Sequence, residues 1–127
     1  MAERIEFGGW PNCVRLATAD LEVVVTTDIG PRIVAFGSPG GPNLMTLITK
    51  DLGQTGGTDW RLYGGHRLWH APEHPVHTYQ PDNHPLRVTD ETNRSITLAQ
   101  AVEPATGIEK TMSLTLSDVG QLRVEHR

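Results

Sequence analysis

The residues best suited to chemistry in this chain crowd into one span. Between Trp60 and Pro85 lie five of the six histidines and two of the three tryptophans, with Glu73 and Asp82 as carboxylates and Arg67 as a hydrogen-bond donor. Imidazoles and carboxylates carry protons once their surroundings tune them toward neutrality. The rings of Trp60, Tyr63, Trp69 and Tyr79 are suited to stack on the apolar face of a sugar, while Arg67 and Asp82 can bond its hydroxyls. This points to a carbohydrate ligand, with Tyr63, His66, Arg67, Trp69, Asp82 and His84 as the candidate binding residues. No residue is assigned a catalytic role.

The same histidines admit a second chemistry. His66, His70 and His74 recur every four residues and His77 follows, but Pro72 and Pro75 exclude the helix that would gather them on one face. On a strand His66, His70 and His74 would share a face, and zinc or copper is the metal such a cluster would take. The tight His-x-His or Cys-x-x-Cys spacing of strong metal motifs is missing. The primary reading therefore carries no metal and no cofactor, with the His66, His70, His74 and His77 site as its alternative.

Whatever its ligand, the span must be held by something else. Each proline removes a backbone donor and restricts the residue before it, so the segment reads as irregular loop on a β scaffold. Val14 and Leu16, then Leu21, Val23 and Val25, alternate across a turn at Ala19-Asp20, which predicts an antiparallel hairpin. Asp28-Ile29-Gly30-Pro31 ends its second strand, and Arg32 to Phe36 resumes as a third. Leu44 to Ile48 is expected to be a short strand. Lys50 to Asp59, with three glycines, reads as a mobile surface loop that lacks the features of a phosphate cradle.

Past Pro85 regular patterning returns. Leu86 to Asp90 predicts one strand, Ile96 to Val102 a longer one, and Ile108 to Leu116 the most regular alternation in the chain. Ser117-Asp118-Val119-Gly120 predicts a four-residue hairpin loop leading to a last strand through Leu122, Val124 and His126. With no helical periodicity anywhere, the expectation is one all-β domain over residues 1–127, an antiparallel β-sandwich.

Composition narrows the partners. A length of 127 residues suits one domain, and a net charge of −4 with no basic run excludes nucleic acid as a default partner. The single cysteine, Cys13, is expected to be a small buried hydrophobe. No apolar run reaches membrane-spanning length and the N-terminus lacks an apolar signal core, so a cytoplasmic protein without membrane contact is expected.

An ordered set of motifs resembles a known family. Gly30-Pro31-Arg32-Ile33, Tyr63-Gly64-Gly65-His66-Arg67-Leu68-Trp69 with Ala71-Pro72-Glu73, Pro81-Asp82-Asn83-His84-Pro85, and Gly107-Ile108-Glu109-Lys110 resemble the N-terminal half of aldose 1-epimerase-like proteins, within the galactose mutarotase-like superfamily. The resemblance implies an antiparallel supersandwich with a groove for a pyranose. In the hexose-phosphate members an arginine precedes a Gly-Gly-x-Pro segment and a later Pro-x-x-His turn follows. Here Tyr63 holds the arginine position, Arg67 lies close by as a substitute, and His84 matches the later histidine. The resemblance also implies anomer interconversion without a cofactor, but puts the family's catalytic histidine and carboxylate beyond Arg127, so the chain reads as half of a longer domain and catalysis stays open. A third reading is a homodimer formed through an exposed edge strand at Leu122 to Arg127.

Overall fold

The computed structural model describes residues 2–127, and among them there is no α-helix. Nine strands form two antiparallel sheets. The first sheet takes β1 (Glu3–Phe7), β2 (Trp10–Ala17), β3 (Glu22–Val25), β4 (Arg32–Gly37) and the two-residue β5 (His66–Arg67) in that spatial order. The second takes β6 (Arg87–Glu91), β7 (Ser95–Ala99), β8 (Thr111–Leu116) and β9 (Leu122–His126), again in chain order. Hairpin connections between neighbours explain why short turns suffice until the chain leaves β4.

The core lies between the sheets. Val14, Leu16, Val23, Val25 and Ile33 from the first meet Ile96, Leu98, Met112, Leu114 and Leu116 from the second. The other face of the second sheet carries polar side chains such as Thr97 and Ser113, whose hydroxyls bond to each other at 2.9 Å. Alternation in β7 and β8 is therefore clean. The first sheet is buried on both faces: Trp10, Cys13, Val24, Val34 and Ala35 form a second cluster with Ile29 and Tyr63, covered by Leu47 and Leu52. Burial pushes the Cys13 thiol up to about 12, helped by Asp28 and Glu6, so it packs as an inert apolar group.

Both lateral margins of the sandwich are clipped. At one, Arg4 on β1 reaches Glu91 on β6 with Nη2 to Oε1 at 2.6 Å and Nη1 to Oε2 at 3.1 Å. At the other, His66 on β5 and His126 on β9 bring their Nε2 atoms to 2.9 Å. β9 is an edge strand, and Arg123, Glu125 and Arg127 carry charge along it. Among the described residues no helix is long and apolar enough to cross a membrane.

Several local expectations are corrected. Leu44 to Ile48 is not a strand; only Leu47 forms an isolated bridge, to Gly64, and the run splits its side chains, with Leu47 on the second cluster, Met45 on the inter-sheet core and Leu44 exposed. Lys50 to Asp59 is not simply surface loop: Thr49–Asp51 forms a 3₁₀ turn and Asp51 is buried, its Oδ2 accepting the Tyr63 backbone N–H at 3.0 Å. Val102 and Ile108 fall outside β7 and β8, since the chain between them turns aside to build a loop. β1 was not anticipated; in it Ile5 and Phe7 pack against the second cluster while Arg4 and Glu6 are exposed.

Packing between the sheets predicts a sharp contrast. Leu114→Ala, at a fully buried position, is expected to lower unfolding free energy by about 2–5 kcal/mol. Thr115→Ala, one residue on and exposed, is expected to change it by less than about 0.5 kcal/mol. Urea unfolding of both variants checks this, and equal losses would contradict the inter-sheet core.

Candidate functional site

One buried ion pair ties the loop segment to the scaffold. Arg32, at the start of β4, is 1% exposed and spends all its guanidinium nitrogens: Nε and Nη2 donate to Asp82 Oδ2 and Oδ1, each at 3.1 Å, and Nη1 donates to the carbonyls of Leu62 and Gly64 at 2.8 and 2.7 Å. A two-pronged contact of this kind fixes orientation as well as distance. The backbone follows suit. Gly30 N–H donates to the Asp82 carbonyl at 2.9 Å, and Leu86 N–H to the Thr27 carbonyl at 2.8 Å, lashing the Asp82 to Leu86 segment to the turn before β4.

Tyr63 completes the base. It has a left-handed φ of 55°, lies under the Arg32 guanidinium at 4.8 Å and packs edge-on against Trp10 at 5.8 Å. Its hydroxyl donates to Asn83 Oδ1 at 2.7 Å, and Asn83 Nδ2 donates to the Asp59 carbonyl, also at 2.7 Å. Gly64 and Gly65 let the chain through: a Cβ on either would lie 2.3 Å from the Thr46 carbonyl oxygen or 2.2 Å from that of Ile33.

Above this base opens a cleft of about 730 Å³. One wall is the Tyr79 to Pro85 segment, with Gln80, Asp82, Asn83 and His84; the other is the loop from Gln100 to Ala105 between β7 and β8. That loop is braced from within by Glu103. Its carboxylate accepts from Gln100 Nε2 at 3.0 Å and Thr106 Oγ1 at 2.8 Å and pairs with Lys110 Nζ at 3.0 Å. Burial opposes its charge most strongly, yet the combined bonds from Thr106, Gln100 and Lys110 prevail and hold it below the usual carboxylate range.

The six candidate residues divide between places. Asp82 and His84 line the cleft, His84 exposed at its rim. Asp82 does not offer a free carboxylate to hydroxyls, since Arg32 occupies both oxygens. Tyr63 is 0% exposed, so its ring is a floor support and not a stacking surface. His66 sits at the opposite margin beside His126. Arg67 lies behind the cleft wall, its Nη2 4.0 Å from Asp82 Oδ2 and its Cζ 4.9 Å from the Trp69 ring centre. Trp69 joins Trp60 and Tyr79 in an edge-on cluster, with ring centres 5.2 to 6.1 Å apart; Tyr79 alone of the three touches the cleft.

The four-histidine site, with His66, His70 and His74 on one strand face, does not form. Only His66 is in a strand, and the chain from residue 71 to 79 coils into bends and turns, so strand periodicity stops applying after Arg67. His74 and His77 stack at 4.2 Å, with His74 Nδ1 accepting the Val76 and His77 backbone N–H groups, which removes that nitrogen from ligation. Among the described residues no group of three or more His, Cys, Asp and Glu is placed to hold a metal ion.

Sequence reasoning did not single out Arg32, Asn83, Gln100 or Glu103 for the site. Arg32 did leave a signal: it is a lone cation opening an otherwise apolar strand, where only a buried partner makes it tolerable. Glu103 left none, because its partners are assembled by the loop itself. Comparison with known proteins finds no matching family model, no matching curated protein and no matching solved structure.

Two outcomes follow. Asp82→Ala leaves the Arg32 charge buried without its partner and is expected to destabilise the fold by about 3–5 kcal/mol, read by urea unfolding; a loss under about 1 kcal/mol would show that the pair does not hold the segment. At the other margin, burial first and His126 second hold the His66 imidazole below its ordinary 6.5. The folded protein thus takes up that proton less readily than the unfolded chain, so this share of stability is complete above pH 6.5 and is lost as pH falls through and below it. The loss in unfolding free energy between pH 8 and pH 5 is expected to be smaller in His126→Gln than in the wild type.

Proposed function

We propose that the protein binds a carbohydrate, a pyranose, in the cleft between the Tyr79 to Pro85 segment and the Gln100 to Ala105 loop. The observation that carries this reading is the mixed character of the walls. Gln80, His84 and Gln100 bring amide and imidazole groups to a cleft whose apolar lining includes Val76, Pro81, Pro85, Val102 and Pro104. A pyranose has the same division, with hydroxyls around its rim and C–H groups on its faces. Few, placed polar groups within an apolar cleft are the usual composition of a small-ligand site.

The ordered resemblance to aldose 1-epimerase-like proteins supports the same ligand class, and the segments that carry it, Gly30 to Ile33 and Pro81 to Pro85, are those joined by the Arg32–Asp82 pair. Anomer interconversion is the reaction this ligand class admits. It needs one group to take the anomeric proton and another to protonate the ring oxygen. With Asp82 and Glu103 engaged in ion pairs, His84 is the proton carrier left on the cleft, and one carrier favours binding over turnover.

Calorimetric or NMR titration with glucose, galactose and other common pyranoses is expected to show saturable binding, weakened about tenfold by His84→Ala, the worth of roughly one hydrogen bond. NMR exchange between glucose anomers, with and without protein, reads turnover separately. Absence of saturable binding across the panel would sink the carbohydrate reading.

A further inference from the structure

Of the four strands that end the two sheets, three are blunted. β1 and β6 each break register with their neighbour, between Ile5 and Phe7 and between Val88 and Asp90, and β5 is two residues long. β9 is the exception, with five residues paired to β8 in unbroken register. A straight free edge of this kind offers a row of backbone donors and acceptors to another strand.

The ladder fixes which groups face outward. Arg127 exchanges both backbone bonds with Thr111, at 2.8 and 3.0 Å, and beyond the other end of β9 the Ser117 N–H donates to the Gln121 carbonyl at 2.9 Å. In an antiparallel pair such residues alternate with ones that make no bond to that neighbour. Arg123 and Glu125 therefore also bond to β8, while the N–H and C=O groups of Leu122, Val124 and His126 point to the open margin. On the core side of that margin runs an apolar groove of about 300 Å³, whose lining includes Leu122 and Val124 with Ile33, Phe36 and Met45 of the facing side. On the solvent side stand Arg123 and Glu125, joined at 2.6 Å.

We propose that two copies of this chain associate through β9, antiparallel and centred on Val124, so that the two second sheets become one. In this register Val124 faces the partner's Val124 and Leu122 faces the partner's His126, which gives every outward N–H and C=O of the strand a bonding partner. Arg123 then lies opposite the partner's Glu125, and by symmetry Glu125 lies opposite the partner's Arg123. Opposite charges across an antiparallel pair stabilise it and like charges oppose it. Shifting the centre to Arg123 or to Glu125 would set that residue against its own copy, so charge selects the Val124 register. The same charges that discourage an arbitrary strand thus complement a second β9, and the contact is isologous, as closed dimers require. The partner's Leu122 and Val124 come to the mouth of the groove and cover its apolar lining.

Sedimentation of the wild-type chain across the micromolar range is expected to show a monomer–dimer equilibrium. Arg123→Glu and Glu125→Arg each place like charges across the twofold axis, and each alone is expected to weaken dimerisation at least about tenfold. An equimolar mixture of the two variants is expected to recover the wild-type affinity, because each then supplies the charges the other lacks; recovery on mixing also shows that both variants are folded. A readout that needs no substitution is amide hydrogen exchange, in which the Leu122, Val124 and His126 N–H groups are expected to slow as protein concentration rises. A monodisperse monomer throughout, a dimer indifferent to both charge changes, a mixture no tighter than either variant alone, or edge amides whose exchange ignores concentration would each overturn the proposal.

Discussion

The bidentate contact between Arg32 and Asp82 is the constraint on which the rest of the site depends. It joins residues 50 positions apart, one on a strand of the first sheet and one in proline-rich coil. Both are almost wholly buried. Charges in that position are tolerated only when every donor and lone pair finds a partner, and here the Leu62 and Gly64 carbonyls take what Asp82 leaves. The result is a coil with little regular structure that nevertheless has a defined path, because its two ends are pinned to the same guanidinium.

That pinning accounts for the double burial of the first sheet. Once Leu62 and Gly64 are drawn onto Arg32, the preceding loop lies across the outer face of β2, β3 and β4, and Leu47, Leu52 and Tyr63 cover Trp10, Val24 and Val34. The second sheet has no such cover and keeps a polar outer face. Two sheets of similar size thus end up in different environments for a reason that begins with one ion pair.

The cleft is the place where the two halves of the chain meet. One wall belongs to the coil fixed by Arg32, the other to the loop between β7 and β8 fixed by Glu103 and Lys110. Each wall is rigidified by its own buried pair, so the space between them is set before any ligand arrives. Pre-set geometry of this sort lowers the ordering cost of binding a small polar molecule.

The all-β class, the hairpin from Val14 to Val25, the regular strand ending at Leu116 and the irregular course of the Trp60 to Pro85 span were legible in the sequence. They depend on alternation, on turn residues and on proline's missing donor, all of which act over a few neighbours. The same local logic singled out Asp82 and His84, which line the cleft. It went astray where distant partners decide: Tyr63 looks like a stacking ring until Arg32 and Trp10 close over it, and the spaced histidines look like a ligand face until the chain coils away after Arg67. Only the tertiary structure determined that Asp82 is consumed by Arg32, because the number of carboxylates within reach of a buried cation is a property of packing in space, not of order along the chain.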